Sequence, residues 1–306
     1  MFPALILIAI SIWRIASGEW DIPLLDVIRF LVLGGNSPEV VVLRLVRLPR
    51  LLCSLLAGGT LSVSGVVLQG VLANPLAEPY TLGIASGAAF GAAFGILFGG
   101  VMVMPCAFIG ALCALILTGI ISRHGGGGKL ILAGVISNAI LSAGATFLKA
   151  VAGEKLGAVV LWLMGSFAGA SWPDVLRVIA GAVIAFVPAY VAGNNLDAMS
   201  LGRDRASVLG VNEPLTRWTL LVCASISAAL CVSSFGVVGF VGLVVPHISR
   251  GLKGAGHRRV MLHSFMIGAC MMCVADGVAQ RLGEIPAGVI TALAGGPFFC
   301  WVLARK

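Results

Sequence analysis

The stretch Asn194 to Arg217, NNLDAMSLGRDRASVLGVNEPLTR, is the longest polar run in a chain that is otherwise almost entirely apolar. Exposed polar backbone and charged side chains are too costly in hydrocarbon, so this run lies outside any bilayer the rest of the chain occupies. Within it, Ser200 to Gly210 (SLGRDRASVLG) has helix-forming residues after a serine able to cap a first turn, and Gly210 and Pro214 stop the pattern. One or two short helices are predicted. Two long apolar spans flank the island on each side, which places it to take a push from a soluble partner and pass it to the spans. On its residues alone, a solvated loop without a partner explains the island equally well.

Working outward, 59% of the residues are hydrophobic and 10% charged, and the mean hydropathy is +1.07. A globule of 306 residues cannot hide that much apolar surface, so the chain is a polytopic all-α membrane protein, read as one membrane domain over residues 1–306. A formal charge of +8 in a soluble protein would point to nucleic acid. Here the lysines and arginines fall mainly in short connections between apolar runs, as membrane orientation requires, and no nucleic-acid partner is expected. The eight cysteines lie in apolar runs, where cysteine acts as a small hydrophobe and no disulfide framework is implied.

Taken in order, the spans number about ten, each near the length needed for a ~30 Å hydrocarbon core. Phe2 to Ser17 reads as a short first span that has lost a few residues at its start, since no basic residue precedes Arg14 as a signal peptide would require. Asp21 to Leu33 alternates apolar and charged residues at helical spacing and reads as an interfacial helix. The other spans are Leu51 to Leu72, Thr81 to Phe98, Val101 to Ile121, Leu130 to Val151, Val175 to Ala192, Leu215 to Val232, Val237 to Ile248, Val260 to Ala279 and Ile285 to Leu303. Gly83, Gly87, Gly91 and Gly95 recur at four-residue spacing, a packing pattern that lets helix backbones approach. The turn Asn74-Pro75-Leu76-Ala77-Glu78-Pro79 ends the second span because neither proline continues a helix. Two tryptophans in Trp162 to Pro173 mark a headgroup level, and Arg250 to Arg259 reads as a basic loop.

With both termini in the cytoplasm, the basic residues beyond residue 193 fall almost all on the inner side, with Arg281 outside, as the positive-inside rule favours. Arg44, Arg47 and Arg50 break the pattern on the outer side. They either snorkel to lipid phosphate or meet something acidic there.

Candidate chemistry is sparse. Arg123 to Lys129 (RHGGGGK) is not a phosphate loop, because the lysine is followed by Leu130 rather than Ser or Thr. Asp276 is an acid inside a span with no basic residue one turn away, and we read it as a buried hydrogen-bonding group rather than a proton relay. His247 has no acidic or histidine neighbours at metal spacing, and Cys270 with Cys273 is a lone C-x-x-C in an apolar helix. No metal site, no catalytic residue and no cofactor bound by this chain is expected.

Several segments together resemble the FecCD family of ABC importer permeases, the membrane subunits that move iron-siderophore, haem or cobalamin. They are Arg47-Leu48-Pro49-Arg50, Ser64 to Pro79 (SGVVLQGVLANPLAEP), Leu132 to Val135, Trp162 to Gly165, Ser200 to Val211 (SLGRDRASVLGV), Gly239 to Arg250 (GFVGLVVPHISR) and Glu284 to Pro297 (EIPAGVITALAGGP). Each is weak alone, but they run in family order from residue 47 almost to the end.

The resemblance implies a ten-helix, cobalamin-importer-permease-like subunit in a prokaryotic inner membrane. It would pair with a second copy of itself, two ABC ATPases that use ATP and magnesium, and an extracytoplasmic substrate-binding protein. It also implies residue roles. Ser200, Leu201, Gly202, Arg203, Ala206, Leu209, Gly210 and Val211 would couple to the ATPase. Asn74 and Leu76, with Gly127 and Gly128, would narrow the cytoplasmic end of the pathway, although relatives often carry hydroxyl or bulkier side chains where this chain has four glycines. Arg47, Arg50 and Arg281 would receive acidic residues of the binding protein.

Overall fold

The computed structural model describes residues 2–16, 38–100, 102–123, 127–254 and 256–304. The expected interfacial helix Asp21 to Leu33, His124 with Gly125 and Gly126, and the terminal Arg305 and Lys306 lie outside the described residues. Among the described residues there is no strand.

The chain opens with α1 (Phe2–Ala16). Helix α2 runs from Pro38 to Val71, 34 residues interrupted only by one π-helical segment, Leu43–Arg47. There follow α3 (Ile84–Leu97), α4 (Val103–Ile121), α5 (Gly127–Ala150), the short α6 (Leu156–Leu163) and α7 (Trp172–Val191). Two short helices come next, α8 (Gly193–Ser200) and α9 (Arg203–Val208), then α10 (Glu213–Phe235), α11 (Val241–Lys253), α12 (His257–Arg281) and α13 (Ala287–Ala304). A helix stands at the place of each expected span. Among the described residues six helices, α2, α4, α5, α7, α10 and α12, are long and apolar enough to cross a membrane, and α1, α3 and α13 are shorter apolar helices. Their outward faces carry exposed Ile109, Ile116 and Ile120 on α4, Leu132 and Ile140 on α5, and Leu176, Val183 and Val187 on α7. A face of that kind is solvated by lipid tails as readily as by protein.

Helix α2 is the centre of the fold. Val63, Val66, Leu68 and Val71 join Leu82, Ile84, Leu130, Leu196, Leu220 and Met261 in one buried cluster. Cys53, Ala57 and Leu61 join Phe167, Val178, Phe235, Val245 and Met272 in another. Between apolar helices in lipid no water is released on contact, so close backbone approach supplies the attraction. A Cβ on Gly65 would fall 1.9 Å from the carbonyl oxygen of Gly242 in α11, and one on Gly58 would fall 2.2 Å from that of Gly268 in α12. Only glycine fits either crossing.

The glycine row in the third span is partly as expected. Gly87 and Gly91 meet the backbone of Gly110 and Cys106 in α4, whereas Gly83 lies before α3 in a left-handed turn, φ 81°. The basic loop is also shorter than the sequence reading had it. Helix α11 starts only at Val241, after Phe240 with φ 69°, and extends to Lys253, so only residues 254–256 separate it from α12.

Candidate functional site

Helices α2 and α12 are packed antiparallel, which puts Arg50 beside Asp276 at one end and Gly70 beside His257 at the other. At 1.5 Å per residue, Arg50 and Gly70 are about 30 Å apart along α2, the thickness of a hydrocarbon core. The candidate residues collect at these two ends.

At the arginine end, Asp276 is 1% exposed and accepts from two arginines that are distant in sequence. Arg14 of α1 donates through Nη2 to Asp276 Oδ2 and through Nη1 to Gln280. Arg50 approaches side-on, with Nε 3.0 Å from Asp276 Oδ2 and Nη2 2.9 Å from Oδ1. The far edge of the same guanidinium holds Glu284 end-on, with Nη1 2.8 Å from Oε1 and Nη2 2.9 Å from Oε2. Two arginines and two carboxylates leave the node neutral, the arrangement that makes buried charge tolerable. Its neighbours also pin α1. Arg47 Nη1 donates to the carbonyl of Ile15 at 2.8 Å, one of the carbonyls a helix end leaves unpaired, and the Arg281 guanidinium lies 5.0 Å over the Trp13 ring.

Arg47, Arg50 and Arg281 are thus brought together, though not as three equivalent surface charges. Arg281 is exposed, Arg47 is half-buried, and Arg50 is buried between its two carboxylates. Asp276 has the buried polar role expected of it, as half of an ion-pair network and not as a lone hydrogen-bonding acid. Sequence reasoning missed Arg14, Gln280 and Glu284 as its company. The i+4 spacing of Asp276 and Gln280 was visible, but Arg14 and Arg50 are 262 and 226 residues away from Asp276.

At the opposite end, the turn after α2 is tied by Asn74. Its Oδ1 accepts from the Leu76 N–H at 2.9 Å, and its own N–H donates to the Gln69 carbonyl at 3.1 Å, leaving the Leu76 side chain exposed. Gly127, the first residue of α5, lies against it, since a Cβ there would be 2.7 Å from the Leu72 carbonyl oxygen. Gly128 has open space where a Cβ would go. The structure therefore brings the start of α5 against the end of α2. In the turn after α2, burial pushes the Glu78 carboxyl up to about 7, although part of the residue still reaches the surface.

The polar island lies at this same end as two helices. Ser200 does not cap the second one. Its Oγ donates back to the Asp197 carbonyl at 2.6 Å, and Gly202, with φ 102°, starts α9. A serine at that φ would carry a steric penalty that glycine avoids. Gly210 (φ 76°) ends α9 as expected, with Val211 N–H donating to the Ala206 carbonyl at 3.0 Å. Pro214 sits in the first turn of α10, where its missing N–H costs nothing, and Asn212 caps that turn through Leu215 N–H at 3.2 Å. Ala206 is fully buried, while Leu201, Val208 and Leu209 are 55%, 87% and 62% exposed. Helix α8 is anchored to α12 through Asp197, which accepts from the His257 N–H at 3.0 Å and faces its Nδ1 at 2.6 Å.

The comparisons agree with this architecture. The model of the FecCD transport family matches residues 5–305. A protein of Helicobacter pylori described as a permease of an iron chelatin transport system is 38% identical over 275 residues, covering 88% of this chain and 84% of that protein. The Fe(3+) dicitrate transport system permease protein FecD of Escherichia coli is 38% identical over 267 residues, covering 85% of this chain and 84% of that one. A solved structure of a metal-chelate type ABC transporter in an inward-facing conformation superposes with a TM-score of 0.87 at 31% identity, covering 100% of this chain and 98% of that one. With nearly its whole length matched by the family model, the chain belongs to the FecCD transport family.

Proposed function

We propose that this chain is the membrane-spanning permease subunit of an ATP-driven importer for metal chelates of the iron-siderophore, haem or cobalamin type. It crosses a prokaryotic inner membrane about ten times with both termini in the cytoplasm. It pairs with a second copy to form the pathway, takes two ABC ATPases at the island end and receives a binding protein at the arginine end. Hydrolysis of ATP belongs to the ATPases. Asn74, Leu76, Gly127 and Gly128 narrow the cytoplasmic mouth, and Arg47, Arg50 and Arg281 form the docking face.

The observation that carries the reading is the exposure of Val208 in α9 and of Leu201 and Leu209, which immediately follow α8 and α9, outside the long apolar helices. Apolar side chains that project from a polar segment lose contact with water when a partner's cleft receives them, and only a fitted contact transmits displacement. The ordering of α8 against α12 gives that displacement a rigid path into the membrane part. A secondary transporter would need an available charged site near the midplane. Asp276 is instead neutralised by Arg14 and Arg50 within the last turns of α12.

The test is Leu209→Glu in the permease–ATPase complex reconstituted in vesicles. A charged residue in the contact costs about 1 to 3 kcal/mol, enough to reduce coupled uptake roughly tenfold while the permease still assembles as a dimer. Normal ATP hydrolysis together with normal uptake removes the island as the coupling element.

A further inference from the structure

We propose that Glu284 is an internal stand-in for a carboxylate of the docking partner, holding the outer edge of Arg50 until that partner's acid displaces it. The inference rests on the reading of the arginine end as a docking face. Arg50 offers two edges to carboxylates, and they are unequal. The edge facing Asp276 is sealed, since that acid is 1% exposed and is also held by Arg14. The other edge holds a Glu284 side chain that is 34% exposed and is therefore open to exchange.

The backbone around Glu284 is built to present it and not to bury it. Gly283 and Glu284 are both left-handed, φ 89° and 61°, just past the end of α12, and the turn is closed by Ile285 N–H on the Ala279 carbonyl at 3.0 Å. A glutamate at positive φ is uncommon and is kept only where the surroundings compensate it. Here the compensation is the end-on pair with Arg50, a geometry that any other carboxylate can reproduce. When Glu284 leaves, the node of Arg14, Arg50, Asp276 and Glu284 carries one net positive charge, next to Arg281 at the surface. An incoming partner acid restores neutrality. Docking thereby becomes an exchange of one carboxylate for another, which weakens the resting affinity and lets the partner leave again.

The experiment measures the affinity of the importer's extracytoplasmic binding protein, fluorescently labelled, for the permease–ATPase complex in nanodiscs as a function of ionic strength. Glu284→Gln removes the competing charge and should tighten binding about three- to tenfold, with a steeper salt dependence. Glu284→Asp is a second variant that keeps the balancing charge but is too short to span the end-on geometry, and it should shift binding in the same direction by less. Arg281→Glu should weaken binding. If Arg281→Glu weakens binding and neither Glu284 variant tightens it, the docking face stands and the exchange is overturned. If none of the three changes affinity at any ionic strength, the docking reading fails and takes the exchange with it.

Discussion

His257, the first residue of α12, donates its backbone N–H to Asp197 of α8 at 3.0 Å and brings its ring Nδ1 to 2.6 Å from the same carboxylate oxygen. The pair joins the island to a helix whose other end carries Asp276 and Arg281. Next to it, Arg258 ties α12 to the end of α7 by donating to the Tyr190 carbonyl at 3.0 Å and lying 5.4 Å over the Tyr190 ring. At 25 residues and 1.5 Å per residue, α12 is a rod of about 37 Å between the two candidate surfaces.

Asp197→Ala is expected to release α8 from that rod. Hydrogen bonds to a charged acceptor contribute about 1.5 to 3 kcal/mol, so the island should open locally while the bundle stays folded. Limited proteolysis of residues 193–212 should be faster than in the parent, and uptake per ATP hydrolysed should fall. Unchanged cleavage would show that α8 is held by its apolar contacts alone.

Asp276→Ala leaves Arg14 and Arg50 facing each other in a buried site with Glu284 as the remaining counter-charge. Removing one partner of a buried network costs about 3 to 5 kcal/mol, more than a typical exposed pair. The thermal midpoint in detergent should drop clearly. Arg14→Met combined with Asp276→Leu removes charges of both signs and should recover a substantial part of the loss; a double variant no better than Asp276→Ala would count against charge balance as the cause.

Gly65→Ala tests the α2–α11 crossing. The added Cβ lies 1.9 Å from a backbone oxygen, so the helices must separate rather than a side chain rotate. Overpacking of this kind costs about 1 to 3 kcal/mol or more, and the expected result is a lower yield of folded protein with a lower midpoint. Gly128→Ala, where no atom stands within 4 Å, should leave the midpoint unmoved and serves as the control.

Glu78→Gln has a pH-dependent outcome. Its folded-state carboxyl titrates near 7, above the ordinary value of 4.5, so the folded protein binds the proton more tightly and charging the group opposes folding. The penalty is absent below about pH 4.5 and grows as pH rises to about 7, where it reaches about 1 to 3 kcal/mol after allowance for partial exposure. Glu78→Gln should thus match the parent at pH 4 and be the more stable protein at pH 8 in thermal melts. A constant difference across this range would mean that Glu78 is solvated in the folded state.

The sequence by itself determined the class of fold and the rough position of nearly every helix, because apolar length and proline or glycine punctuation are local properties of the chain. Asn74, Pro75 and Pro79 marked the turn after α2, and Asn194 to Arg217 could be read as outside the membrane from polarity alone. Its ordered motifs also carried the family. What the tertiary structure alone decided is how charges separated by more than two hundred residues are paired. Arg14, Arg50, Asp276 and Glu284 share no sequence spacing, and only the antiparallel packing of α2 on α12, with α1 beside it, collects them at one end. The same packing made Arg50 a buried, doubly held residue rather than a surface charge, and the placement of α5 brought Gly127 against Leu72. Local pattern reports which segments leave water. Which side chains then meet depends on where whole helices cross, and here backbone contacts at Gly58 and Gly65 set those crossings.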